Sequence, residues 1–380
     1  MRKLLVILGA PIDDINMAEA LERIESFISS GRARRKGHQI ATINADFVVK
    51  SLYDADFRRI LQEADMATAD GMPLVWGARL LGVPLQGRVT GADMVPALAR
   101  RAAEKGYSIY FLGAAPGVAE QAAVTLQQCY PGLRIAGISS PPAHAVANGD
   151  ASIIEACRAA NPDILLVAFG SPKQEKWIYQ HAQQLNIPVM MGVGGTFDFI
   201  AGVTKRAPRW MQEGGLEWLY RLVCEPRRLW KRYATDLVGF GYFFLWQWWI
   251  MRRKSPAVSL LPTGDFFVVK DTVIMNVRGR LESSNQHAFA EKANENLQTN
   301  PYLIINLAEA DFLDSAAIGT LVALTKQARD RGGNLWLANV PAPIVRVLAI
   351  LRLEQFFDIC DDIDSALQTR TAYTRVGVPA

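Results

Sequence analysis

The chain has 380 residues, 50% hydrophobic and 21% charged, with a formal net charge of +4. This length allows two domains, and the composition excludes a disordered or low-complexity polypeptide. The basic residues crowd into residues 205–254, whereas a general nucleic-acid binder would spread them over a face.

Residues 1–9 resemble the start of a short signal peptide, but the apolar run stops early and no small-residue cleavage pattern follows. A buried first strand is expected instead. From Ile40 to Gly195, short apolar runs alternate with longer amphipathic stretches. The runs at 39–43, 107–112, 164–169 and 189–193 read as buried strands of an α/β, Rossmann-like parallel sheet with helices on both faces. Loops 42–46, 113–117, 170–174 and 192–198 leave the carboxyl ends of such strands, so they can converge on one crevice.

Two of these loops, Gly170-Ser171-Pro172-Lys173-Gln174-Glu175 and Gly192-Val193-Gly194-Gly195-Thr196-Phe197-Asp198, are of the kind that hold a nucleotide diphosphate on backbone N–H groups. In Ala69-Asp70-Gly71-Met72-Pro73, Asp70 follows a buried stretch and precedes a helix, so its carboxylate can enter the crevice. An inverting sugar transfer needs one such base; the alternative is a turn or helix cap. Asp54-Ala55-Asp56 and Asp362-Ile363-Asp364 match the Asp-x-Asp pattern of metal-dependent nucleotide-sugar enzymes, but the first reads as a helix start and the second is distal. No metal site is expected at either. The leaving diphosphate then falls to helix N-termini, backbone N–H groups and guanidinium groups such as Arg88. His38, His144, His181 and His287 show no metal or triad spacing, and Cys129, Cys157, Cys224 and Cys360 form no C-x-x-C pair. The latter fit reduced thiols in a cytoplasmic protein.

In residues 205–232, KRAPRWMQEGGLEWLYRLVCEPRRLWKR, basic residues interleave with Trp, Tyr and Leu at helical spacing, a surface suited to anionic lipid head groups. Residues 237–251, LVGFGYFFLWQWWIM, fall short of the roughly twenty needed to span a bilayer and are rich in interface-preferring aromatics. They are read as lying in the head-group region, the alternatives being a helix packed on the protein itself and a true span. Residues 255–262 have linker chemistry. Beyond them, a hairpin at 266–269 and 272–277, a helix at 284–297, a strand at 302–307, a helix after Asp314, a strand at 334–338 and a last helix from about Pro343 make a second, small α/β domain.

With these residues in view, positions 1 to about 235 closely resemble the WecG/TagA/CpsF glycosyltransferases of bacterial cell-surface polysaccharide assembly. The resemblance rests on an ordered set: Thr42-Ile43-Asn44-Ala45, Ala69-Asp70-Gly71-Met72-Pro73, Arg88-Val89-Thr90-Gly91-Ala92-Asp93, Phe111-Leu112-Gly113, the two glycine-bearing loops and Arg206-Ala207-Pro208. It implies inverting transfer from a UDP-sugar to an undecaprenyl-diphosphate-linked sugar, without metal or other cofactor. Asp70 is then the base, with Thr42, Asn44, Arg88 and Gln174 lining the pocket beside Gly113, Gly170, Gly194, Gly195 and Thr196. Arg221 and Arg228 stand where the family's appendage contacts the lipid diphosphate; Lys231 stands where the family can carry Arg, with Arg232 beside it.

From about Thr263 the chain resembles a STAS domain, the sulphate-transporter and anti-sigma-factor-antagonist module, through Leu303-Ile304-Ile305-Asn306-Leu307, Phe312-Leu313-Asp314-Ser315-Ala316-Ala317-Ile318-Gly319 and Leu353-Glu354-Gln355-Phe356-Phe357. Many such modules carry a phosphorylatable residue after Asp-Ser, where this chain has Ala316; Ser315 is the second candidate, or an N-cap. The expected parts are a catalytic domain 1–204, an appendage 205–254, a linker 255–262 and a STAS domain 263–380. The expected protein is a peripheral enzyme on the cytoplasmic face of the bacterial inner membrane, working in polysaccharide (exopolysaccharide) synthesis. Its partners are the donor, the lipid-linked acceptor, the membrane surface, a protein docked through STAS and a second copy of the chain, with no nucleic acid. A scaffold that binds lipid-linked sugar without catalysis is the alternative.

Overall fold

The computed structural model describes residues 2–147, 149–252, 266–269 and 271–376, without the side chains of Glu213, Arg228 and 374–376. The expected linker 255–262 lies outside the described residues. The chain opens with an antiparallel hairpin, β1 (Leu4–Ile7) and β2 (Ala10–Asp13), then α1 (Met17–Arg34). Six parallel strands follow: β3 (His38–Ile43), β4 (Met66–Ala69), β5 (Ser108–Gly113), β6 (Arg134–Ser139), β7 (Ile164–Ala168) and β8 (Val189–Gly192). Their spatial order is β4-β3-β8-β7-β5-β6. The connecting helices are α2 (Ala45–Tyr53), α3 (Ala55–Glu63), α4 (Met72–Leu80), α5 (Gly91–Lys105), α6 (Val118–Cys129), α7 (Ala143–Ala147), α8 (Ala151–Ala160) and α9 (Lys173–Leu185). After β8 come α10 (Thr196–Ile200), α11 (Arg209–Glu213), α12 (Glu217–Cys224) and α13 (Pro226–Met251).

The strands carry apolar residues on both faces because helices cover both. Phe111, Leu166 and Met191 pack against α1, α5 and α6, while Tyr110, Leu165 and Met190 pack against α8 and α9. Helix starts are fixed locally: Asn16 and Glu19 form a reciprocal capping box at α1, and Asn44, Asp54 and Thr90 cap α2, α3 and α5. Asp54, from the first Asp-x-Asp, also pairs with Lys176 at 2.7 Å.

The C-terminal module contains β9 (Phe266–Val269), β10 (Thr272–Leu281), α14 (Gln286–Thr299), β11 (Tyr302–Leu313), α15 (Ser315–Asp330), β12 (Asn334–Ala338), α16 (Ala342–Ile350), β13 (Asp358–Cys360) and α17 (Ile363–Val376), with the sheet ordered β13-β12-β11-β10-β9. The expected hairpin is present as β9 and β10. The helix from Pro343 is not the last element, because the chain turns at Leu351 and at Arg352 (φ 54°) and goes on to β13 and α17.

By their contacts, residues divide into two compact units, 15–75 with 86–239, and 1–14 with 76–85 and 240–380. In the second unit the opening hairpin packs on helix α15 of the C-terminal module, and Leu4 and Val6 join that module's core. Gly319 permits this, since a Cβ there would sit 2.0 Å from the Leu4 carbonyl oxygen. The Gln247 side chain, 1% exposed, accepts from Leu8 N–H (2.9 Å) and donates to the Val6 carbonyl (3.0 Å) and Ser315 Oγ (3.1 Å). Ser315 is therefore buried and bonded, and the α15 N-cap is Asp314, which accepts from Ala316 and Ala317 N–H.

The 240–251 part of α13 is apolar apart from Gln247, and its two faces differ. Phe240, Phe244 and Gln247 are buried within their unit, whereas Tyr242, Leu245, Trp246 and Trp249 are exposed. The reading of a helix packed on the protein itself describes the buried side. No described helix is long and apolar enough to cross a membrane.

Candidate active site

The site forms where β3, β4 and β8 end. Asp70 follows β4, and its backbone N–H donates to the Ile43 carbonyl at 2.7 Å. The segment after α4 returns along the same edge: Val89 N–H donates to the Ala69 carbonyl (2.9 Å), and Thr68 Oγ1 donates to the Val89 carbonyl (2.9 Å). These bonds bring Arg88 beside Asp70 and put the Gly91 N–H, in the first turn of α5, on the Asp70 carboxylate. The Thr42 and Thr196 hydroxyl oxygens lie 3.4 and 3.7 Å from where a Gly91 Cβ would be, and Asn44 lies beside Gly71. Thr42, Asn44, Asp70, Arg88 and Thr196, separated widely in sequence, are thus one cluster. The Asn44 oxygen is used to accept from Phe47 N–H at 3.1 Å.

Burial pushes the Asp70 carboxyl up from 3.8 to about 7. Arg88 and the Gly91 N–H oppose this rise, and the negative charges of Glu217 and Asp93 reinforce it. A carboxylate that binds protons near neutral pH is matched to general-base work.

Gln174 has a different position from a pocket-lining residue: it is 2% exposed and ties the two glycine-bearing loops together. Its Oε1 accepts from the Gly170 and Gly194 N–H groups, each at 3.1 Å, and its Nε2 donates to Glu175 Oε1 at 2.6 Å. Gly192 leaves the space, since a Cβ there would come within 2.5 Å of Gln174 Nε2. Burial raises the Glu175 carboxyl to about 7. Gly195 caps α10 ahead of Thr196, and Gly113 lies against Ala168 and Phe169 at the head of the Gly170 loop.

The appendage helices carry the remaining residues. The Arg221 guanidinium lies 5.3 Å over the Phe199 ring, and its Nε is buried with no hydrogen-bond partner among the described residues. Lys231 lies over Trp230, and Arg232 stands 3.9 Å from Asp46 and 3.8 Å from Asp236. Arg228 is on α13, with its side chain outside the description.

Sequence reasoning did not select Glu217, Asp93 or Arg206 as site residues. Glu217 Oε2 accepts from Arg88 Nη1 (3.2 Å), Glu217 Oε1 from Arg206 Nε (3.1 Å), and Asp93 Oδ1 from Arg206 Nη1 (2.5 Å). Asp93 and Arg206 belong to quoted motifs, which was a usable signal; Glu217 has no motif and is recognised only by its position.

An all-parallel open sheet with glycine-bearing loops, arginines and the near-neutral carboxyls of Asp70 and Glu175 at its carboxyl edge places the chain among α/β proteins that bind their ligands at that edge. The model of the glycosyl transferase WecG/TagA/CpsF family matches residues 5–254, and the chain belongs to that family. The STAS domain model matches residues 267–366. The N-acetylglucosaminyldiphosphoundecaprenol N-acetyl-beta-D-mannosaminyltransferase of Bacillus spizizenii is 30% identical over 226 residues, 58% of this chain and 85% of that protein. The protein of the same name from Bacillus subtilis is 34% identical over 196 residues, covering 52% and 75%. Among solved structures, a Thermotoga maritima anti-sigma factor antagonist is similar at 23% identity and a TM-score of 0.28, over 28% of this chain and 94% of that one. The chain is accordingly a glycosyltransferase with a STAS domain at its C-terminus.

Proposed function

We propose that the enzyme moves a sugar from a UDP-sugar to a polyprenyl-diphosphate-linked sugar, with inversion and without metal, at a membrane surface. The observation that carries the reading is the Asp70 carboxyl, raised to about 7, held on the Gly91 N–H and beside Arg88. In its ionised form, Asp70 takes the proton from the acceptor hydroxyl as that oxygen attacks the anomeric carbon. The bond to the UDP oxygen breaks on the opposite face, and the charge left on the diphosphate falls to Arg88, backbone N–H groups and helix N-termini. Thr42, Asn44 and Thr196 are proposed to line the pocket, with Gly113, Gly170, Gly194 and Gly195 forming its backbone walls and Gln174 holding the loops. Arg221, Arg228, Lys231 and Arg232 are the proposed contacts of the lipid diphosphate. The family match and the names of the relatives support this substrate class.

The proposed functional segments are 1–204 (catalytic), 205–254 (appendage), 255–262 (linker) and 263–380 (STAS), with the first lending its hairpin to α15. The exposed Tyr242, Leu245, Trp246 and Trp249 beside the basic segment favour a peripheral position on an anionic, cytoplasmic-face membrane. Release of UDP that depends on both a UDP-sugar and a short-chain polyprenyl-diphosphate sugar tests the reading. UDP-sugar binding and lipid-linked-sugar binding without turnover would instead support the scaffold.

A further inference from the structure

The geometry points to Glu217 as a positioning residue contributed by the appendage: its carboxylate, bridging Arg88 and Arg206, fixes the Arg88 guanidinium at the site and turns its charge away from Asp70. This rests on the proposed role of Asp70. Glu217 is the first residue of α12, so the residue that sets the base belongs to the segment expected to meet the lipid. Both of its oxygens are used, at 3.2 Å to Arg88 and 3.1 Å to Arg206, and Arg206 is held in turn by Asp93. Arg88, Glu217 and Arg206 are mostly enclosed, with side-chain exposures of 17%, 16% and 22%. At such burial, removing one partner leaves a charge uncompensated.

The charge order along this chain explains the effect. Asp70 faces Arg88, with Glu217 and Asp93 as its negative neighbours. Glu217 also faces Arg206 and Tyr233, and Arg221 and Arg232 act on Tyr233. Without Glu217, the Arg88 charge would act on the Asp70 carboxylate undiminished and weaken it as a base. With Glu217 present, part of the Arg88 charge is spent elsewhere, and Asp70 keeps its proton affinity. A folded α12 is then a condition for an effective base.

The test is the pH dependence of kcat/KM for the full chain in detergent, with a UDP-sugar and a short-chain polyprenyl-diphosphate sugar. Wild-type activity should rise with pH through about 7. Glu217→Gln, which keeps the size and one of the two acceptor oxygens but not the charge, should move this limb down by about 0.5–1 pH unit and lower the plateau about 10-fold. Glu217→Asp should keep the limb within about 0.3 unit while losing activity through its shorter reach, and it serves if the Gln variant does not fold. An unmoved limb in folded Glu217→Gln, at any activity, overturns the inference. So does a limb shift in Glu217→Asp as large as that expected for Gln. Asp70→Asn in the same assay separates the layers: near-wild-type transfer there removes the base assignment itself, whereas an inert Asp70→Asn with an unmoved Glu217→Gln limb removes only the role of Glu217.

Discussion

Replacing Asp70 by Asn should make the protein more stable and much less active, with a pH signature that follows from burial. The folded carboxyl sits at about 7 against 3.8 for an unperturbed one. The unfolded chain therefore releases this proton first, and stability falls as pH rises from about 4 through about 7. At about 1.4 kcal/mol per tenfold, the full cost above pH 7 is at most about 4 kcal/mol. Asn still accepts from the Gly91 N–H, and the pull of Arg88 is already contained in the value of about 7, so after discounting for solvent screening a net gain of roughly 2 kcal/mol is expected near pH 8. That is roughly 4–8 °C in melting temperature for a module of this size, shrinking towards zero near pH 4. Turnover should fall by about 100-fold or more. Thermal melts of both proteins across this pH range, with UDP-release rates, make the measurement. A variant no more stable near pH 8 than near pH 4, or one with near-wild-type turnover, would refute the argument.

Transfer should survive EDTA, because the proposed stabilisers of the leaving diphosphate are arginine and backbone N–H groups; a loss restored by Mg²⁺ would overturn this. Gln174→Ala should destabilise the protein by about 1–3 kcal/mol and weaken UDP binding, since it leaves the Gly170 and Gly194 N–H groups without their acceptor; unchanged melting and UDP affinity would contradict the loop-tying role. Arg221→Ala should lower acceptor-dependent turnover with UDP affinity changed by less than about threefold, and unimpaired transfer to a detergent-soluble acceptor would remove Arg221 from the site. Replacing Trp246 and Trp249 together by Ser should weaken binding to anionic vesicles while leaving transfer to a soluble short-chain acceptor near normal; full vesicle binding would place the membrane surface elsewhere.

The parallel sheet was legible because strands buried on both faces appear as unbroken apolar runs, as at 39–43 and 164–169. β6 was not read, because its residues are intermediate or exposed and the run Arg134-Ile135-Ala136-Gly137-Ile138-Ser139 lacks that contrast. The first strand was rightly expected to be buried, but its partner could not be read. Its packing on α15 depends on a glycine more than three hundred residues away in the chain. At the site, glycine spacing marked the loops around Gln174, but burial of the glutamine itself depends on tertiary structure. Glu217 was hidden for the same reason: within residues 205–232 it reads as one acidic residue in a basic amphipathic run, and only folding gives it two arginines.

The central claim is transfer of a sugar onto a lipid-linked acceptor, and the most direct test is mass spectrometry of the full-length protein incubated with a panel of UDP-sugars and a short-chain polyprenyl-diphosphate N-acetylglucosamine. The account predicts that one donor yields an acceptor heavier by one sugar residue, joined with inverted anomeric configuration, with one UDP released per sugar transferred and no product from Asp70→Asn. Elongated product at undiminished yield from Asp70→Asn, or lipid-linked sugar that binds tightly but is never extended by any UDP-sugar, would contradict it.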